Sequence, residues 1–288
     1  MVASMTGFVH KAFQSQWGSL TCELRAVNHR FLDIYFKIPE ELRALEPKLR
    51  QIIKENLSRG KVECFIRCQL DPSVSSSVSI NEEIVQALGD AANQIATLLS
   101  VEGDFSVSDA MRWPGVVEGA DVDWVPIHEA VEVVFEEAVA GLIHARMTEG
   151  IAISEMLRDR IHAIRHIVVE VREAVPTILL AQKQRIRDRL SELSIEADAG
   201  RLEQEMVLYA QKVDVDEELD RINTHCDEVD RVLLKGGAIG RRLDFLMQEL
   251  NREANTLGSK STDHRITNAS VDLKVLIEQM REQVQNVE

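Results

Sequence analysis

The sequence predicts an α+β fold: a small N-terminal β-rich α/β unit followed by a long, predominantly helical region. Apolar residues alternate with period two from Ser4 to Leu70, and from about residue 81 onward they recur three or four apart. The composition, 45% hydrophobic and 28% charged over 288 residues, is that of a globular protein and excludes wholesale disorder or a fibrous repeat.

Taken in order, MTGFVHKAFQSQ, SLTCELRAVN and FLDIYFKI read as strands. PEELRALEPKLRQIIKENLSRG keeps Leu42, Leu45, Leu49, Ile52, Ile53 and Leu57 at helical spacing, and Gly60 is placed to end that helix. KVECFIRCQL closes a β-β-β-α-β unit over residues 1–71. DPSVSSSVS at 71–79 has linker composition. Helices are then expected over 81–100, 106–112, 127–149, 151–174, 176–193, 200–212, 214–235, 240–255 and 263–285. Pro176 either begins a helix or kinks a longer one. The domains expected are thus 1–71, a helical middle over 72–195 with long helices, and a C-terminal helical domain over 196–288 carrying the polar motifs. Apolar stripes such as Ile161, Ile164, Val168 and Val171 suit packing within the chain or between copies, so a homo-oligomer is expected.

No stretch approaches the length of a membrane span, and MVASMTGFVHKAF has no basic segment leading into an apolar one, so a cytoplasmic protein with no membrane partner is expected. Cys22, Cys64, Cys68 and Cys226 form no C-x-x-C pair and read as small core residues. The net charge of −15 argues against a nonspecific nucleic-acid coat. Its distribution is uneven: residues 192–230 hold thirteen acidic and three basic side chains, whereas 158–189 hold eight basic and four acidic. The basic stretches either converge on a polyanion or are ordinary solvated helix surface; counts alone favour the second.

On a helix over 214–233, Val215, Leu219, Ile222, Cys226, Val229 and Leu233 make one apolar stripe. Asp214, Glu218, Arg221, His225 and Glu228 share an arc about a right angle away. Such a set ligates a divalent ion, acts as general acid or base, or is a solvated ladder. In GRRLDFLMQELNREANTLGSK two polar faces flank the apolar stripe, one with Asp244, Gln248, Asn251, Arg252 and Asn255, the other with Arg242, Glu249 and Glu253. Short amides are poor helix formers, so Asn251 and Asn255 point to specific hydrogen bonds with a helix or a ligand. Gly258-Ser259-Lys260 lacks the upstream glycine of a Walker loop. Asn28-His29-Arg30 sits at a strand turn, a binding edge or simply a polar turn.

SMTGF (4–8), CELRAVNHRFLD (22–33), RGKVE (59–63), DEELDRINTH (216–225), GRRLDFLMQELNREANTLGSK (240–260) and IEQMREQVQNVE (277–288) together resemble the YicC/YloC family of bacterial proteins. The resemblance implies a cytoplasmic, metal-dependent endoribonuclease that cleaves phosphodiester bonds of single-stranded or structured RNA. It further implies a ring-like homo-oligomer, a hexamer, with RNA and other RNA-degradation proteins as partners. The alternative is a non-catalytic RNA-binding adaptor in RNA turnover.

Chemistry then assigns roles to the matching positions. Glu218, His225 and Glu249 or Glu253 are expected to hold Mn²⁺ or Mg²⁺, His leaning towards Mn²⁺. Arg221, Arg252 and Lys260 are expected to steady phosphate charge, with His225, Glu218, Glu249, Arg221 and Arg252 as the catalytic set. Asn28, His29, Arg30, Arg241, Arg242, Gln248, Asn255 and Lys260 are expected to contact RNA. Few aromatics, Trp17, Trp113 and Trp124 among them, offer base stacking, so backbone and shape recognition is expected.

Overall fold

The computed structural model describes residues 2–72, 78–100, 105–119, 122–192 and 199–288. The expected β-β-β-α-β order is present as β1 (Gly7–Ser15), β2 (Gly18–Val27), β3 (Leu32–Lys37), a 3-10 helix (Glu40–Leu45), α1 (Glu46–Asn56) and β4 (Gly60–Leu70). There follow β5 (Val78–Ile80), α2 (Glu82–Leu99), α3 (Val107–Arg112), β6 (Val117–Gly119) and α4 (Val125–Glu192). The chain finishes with α5 (Ala199–Lys212), α6 (Asp216–Lys235), α7 (Gly240–Ser259) and α8 (His264–Val284). The α+β expectation holds. Of the linker expected at 71–79, residues 73–77 lie outside the described residues, and its end enters β5.

Two compact units result, neither a single stretch of sequence. One comprises residues 8–25 and 32–141, the other residues 1–7, 26–31 and 142–288. The segments 1–71, 72–195 and 196–288 cut the chain differently, because α4 contributes its first part to one unit and the rest to the other; the boundary at 195 lies outside the described residues.

The first unit is built on a four-stranded sheet of order β1-β2-β4-β3, in which β3 runs parallel to β4 with Leu32 opposite Gly60 and Lys37 opposite Phe65. Strand alternation puts Leu20, Cys22, Leu24, Ile34, Val62, Cys64 and Ile66 in the core. Leu49 and Ile53 of α1 and Ile127, Val131 and Phe135 of α4 are buried as well, and the Phe36 and Phe135 rings lie 6.1 Å apart. A separate β5–β6 pair is antiparallel, and Asn81 caps α2 by accepting from the Ile84 amide.

The second unit has a continuous core from α4 (Leu157, Ile161, Ile164, Val168), α6 (Leu219, Ile222, Cys226, Val229), α7 (Leu243, Met247, Leu250, Leu257) and α8 (Leu273, Ile277, Met280). The apolar stripes read on these helices are its packing faces. The two ends of the chain are laced together here: Ser4 bridges Val287, Met5 N donates to Asn286 O at 2.7 Å, and Glu288 N donates to Ala3 O at 3.0 Å. Arg146, 3% exposed, donates to Ser4 O and to a Glu288 carboxylate oxygen, each at 2.5 Å.

The three helices expected between 127 and 193 are one helix. Gly150 does not break it: a Cβ there would stand 2.2 Å from Val2 O, so the missing side chain admits the N-terminal segment. Pro176 lies inside α4 rather than starting a helix. Cys22, Cys64 and Cys226 are buried, Cys68 half-buried, and all four are free thiols. Burial pushes the Cys226 thiol up to about 12, which keeps it protonated and unsuited to metal binding.

Candidate functional site

The arc read on α6 and one polar face of α7 meet along a single seam. Lys260 Nζ lies 2.8 Å from Glu218 Oε1 and donates to Glu218 Oε2 and Asp214 O at 3.0 Å. Arg221 Nη1 lies 3.6 Å from Glu253 Oε1, and Arg242 Nη2 lies 3.2 Å from Glu228 Oε1. These three pairs fix an antiparallel register, and that register sets His225 level with Glu249 between the second and third pairs.

Glu218 and Glu253 are each 4% exposed, although both belong to the most water-seeking class of side chain. Their burial is possible because each has a cation on the opposite helix. Arg221 also donates to Glu217 one turn back, and these two carboxylates hold its guanidinium above its ordinary range. His225 is half-buried, and among the described residues its ring has no hydrogen-bond or ion-pair partner, so its nitrogens are available to a ligand.

A metal centre from Glu218, His225, Glu249 and Glu253 does not fit this arrangement. Among the described residues, no group of three or more His, Cys, Asp or Glu side chains could hold an ion. The reason is visible in the seam: Glu218 and Glu253 spend their oxygens on Lys260 and Arg221. Lys260 and Arg221, expected on phosphate, are in turn engaged with carboxylates.

The other predicted positions, Arg242 excepted, make none of the seam's three ion pairs. Gln248 donates to Asp244 at 2.9 Å, and Asp244 stands 3.8 Å from Arg281 of α8. Arg241, Arg252 and Asn255 are exposed, and among the described residues the amides of Asn251 and Asn255 meet no partner helix. Arg242 lies over the Phe245 ring at 5.6 Å. Asn28 Nδ2 donates to Gln285 O at 2.7 Å, fastening the 26–31 loop to the end of α8. His29 and Arg30 are exposed on that loop beside Phe31, which motif reading passed over.

Two of the basic residues in 158–189 are taken up within the chain. Arg165 bonds Asp227 and Asp230 at 2.7 and 2.9 Å, and Arg172 bonds Asp220 at 2.5 Å. These two arginines of α4 thus pair with part of the acidic block on α6.

A sheet-based unit and a helical unit with a charged α6–α7 seam define an α+β protein whose polar motifs take part in packing. The chain belongs to the YicC-like family. The family model described as "Endoribonuclease YicC-like, N-terminal region" matches residues 2–155, and "Endoribonuclease YicC-like, C-terminal" matches 171–288. A Haemophilus influenzae protein named "Probable endoribonuclease YicC" is 40% identical over 288 residues, covering all of both chains. A Clostridioides difficile protein of the same name is 31% identical over 297 aligned positions, again covering both chains fully. Among the described residues, no helix is long and apolar enough to cross a membrane.

Proposed function

We propose that this chain is an endoribonuclease whose reacting group is His225, acting in the cytoplasm on single-stranded or structured RNA. The observation that carries the reading is the half-buried, unpartnered His225 ring in a seam where Glu218, Arg221, Glu228, Arg242, Glu253 and Lys260 are paired, in a chain that shares its family with proteins named as endoribonucleases. An imidazole exchanges a proton near neutral pH, which suits it to acid–base work on a phosphodiester. Arg252 and Arg241, exposed on α7, meet the phosphates. Glu218 and Glu253 hold Lys260 and Arg221 in place. Assembly as a homo-oligomer and association with other RNA-degradation proteins belong to the same reading.

A divalent-ion requirement, implied by resemblance, finds no ready ligand set among the described residues of one chain, and no step is routed through it. A second reading, the non-catalytic adaptor, is favoured by the same fact: carboxylates already neutralised by Lys260 and Arg221 suit a binding surface as well as a catalytic one.

The test is purified protein with end-labelled single-stranded RNA, with Mn²⁺, with Mg²⁺ and with EDTA, alongside His225→Ala and Arg252→Ala. Internal cuts that disappear in His225→Ala support the nuclease. Binding without cuts under every condition overturns it in favour of the adaptor. Cleavage abolished by EDTA requires ligands supplied by RNA or by a second copy.

A further inference from the structure

We infer that Phe31 is a stacking platform for an unpaired nucleobase, with Arg30 and His29 set beside it for the neighbouring phosphates, so that the strand bound at this loop is single-stranded RNA. The inference rests on the RNA reading above and names the form of RNA this loop accepts.

Phe31 is 64% exposed, while Leu24 and Ala26 just upstream are buried. Phe31 is among the most exposed rings of the described residues, with Phe8 at 61% next to it in exposure, and here the loop is held so that the ring stays out. Asn28 Nδ2 donates to Gln285 O at 2.7 Å on one side, and His29 Nδ1 lies in hydrogen-bond contact with Phe31 O at 2.9 Å on the other. The backbone on both sides of the ring is therefore set before any ligand arrives, which lowers the ordering cost of binding.

The guanidinium carbon of Arg30 lies 5.1 Å from the Phe31 ring centroid. That is cation–π distance, and it places a fixed positive charge beside an aromatic face. A base stacked on such a ring brings its own phosphate close to the cation, and every base has a π-face, so the site takes any sequence. Bases inside a duplex are stacked on one another and have no free face. A protein partner would call for a contiguous apolar patch. Of the four residues Asn28, His29, Arg30 and Phe31, three are polar, and a lone ring in a polar collar matches a nucleobase better. The sequence reading, which weighed the tryptophans, found little for stacking; the ring that matters is a phenylalanine whose exposure only the fold reveals.

Equilibrium binding is measured on the full chain with a labelled single-stranded 2′-O-methyl RNA, which resists cleavage, with a strand of equal length and charge lacking its bases, and with a duplex. Phe31→Ala is expected to weaken binding to the base-bearing strand by roughly 5- to 100-fold, with Phe31→Tyr close to the parent protein and the baseless strand unaffected by either change. Equal losses on both strands, or no loss on the base-bearing strand, overturn the inference. So does a change in self-association by sedimentation with RNA affinity unaltered, which would assign the ring to a protein interface. If the parent protein binds neither strand, the RNA reading fails and takes this one with it; if it binds and Phe31→Ala is neutral, stacking alone fails.

Discussion

Removing the ammonium of Lys260 leaves the Glu218 carboxylate, 4% exposed, without its cation and with its hydrogen bond from Lys260 lost. Lys260→Met is expected to lower the free energy of unfolding by about 1–3 kcal/mol, read by chemical denaturation, because a buried acceptor left unsatisfied bears its desolvation cost. Glu218→Gln should cost less, since an amide oxygen still accepts from Lys260 and no unpaired charge is left inside. Asp263 gives a pH test. It caps α8 by accepting from Arg265 N, and the Arg265 side chain beside it holds its carboxyl down at about 2 from an ordinary 3.8. A depressed folded value stabilises above the unfolded value and loses that contribution as pH falls from about 4 to about 2. Asp263→Ala is expected to be less stable than the parent by about 0.5–2 kcal/mol at neutral pH. That gap, measured by denaturation across pH, should narrow below pH 4. At this scale the arc Glu218–Arg221–His225–Glu228 was legible, because 100 degrees per residue is a property of any helix. The partners of those residues were not, because the register of α6 against α7 depends on how the two helices pack into the core that Leu219, Ile222, Leu250 and Leu257 share, which lies beyond local periodicity.

Among the elements, α7 begins at Gly240 hard against the chain's last residues: a Cβ there would stand 2.3 Å from Val287 O. Gly240→Ala is expected to cost about 1–3 kcal/mol, the range for overpacking a fitted contact. Hydrogen exchange should show faster opening of the Met5 and Glu288 amides, which bond across this end. The joining of three expected helices into α4 has the same kind of cause. Gly150 reads as a helix terminus and Pro176 as a start or kink when only neighbours along the chain are considered. Their surroundings decide otherwise, Gly150 through the backbone of residues 2 and 3 lying across it. β2, β3, β4 and α1 were legible, since alternation and helical spacing there coincide with burial; β1 alternates with none of its residues buried, residues 40–45 fold as a 3-10 helix ahead of α1, and β5 and β6, three residues each, are too short to carry a period.

For the whole molecule, the charge imbalance resolves into internal pairing. Arg165 and Arg172 of α4 meet Asp227, Asp230 and Asp220 of α6, so the basic stretch on α4 is partly spent before any polyanion approaches. RNA affinity is therefore expected to fall only modestly with salt, each phosphate contact contributing a slope of about −0.7 on a log–log plot for single strands. Arg252→Ala should make that slope shallower by about 0.7, whereas Arg165→Ala should leave it unchanged and lower stability instead.

The lacing of the chain's two ends also constrains how the protein is made. Asn28 is fastened to Gln285 across 257 residues of sequence. At a synthesis rate of about 5–20 residues per second, the N-terminal segment emerges on the order of tens of seconds before its partner exists. Through that interval residues 2–7 have no place to dock and Asn28 lacks its acceptor, while residues 8–25 and 32–141 are complete enough to fold around their own sheet. The unit bearing the charged seam is thus the last to form on the ribosome, and its early-made pieces, Val2 and Met5 among them, are the apolar groups that wait longest in water.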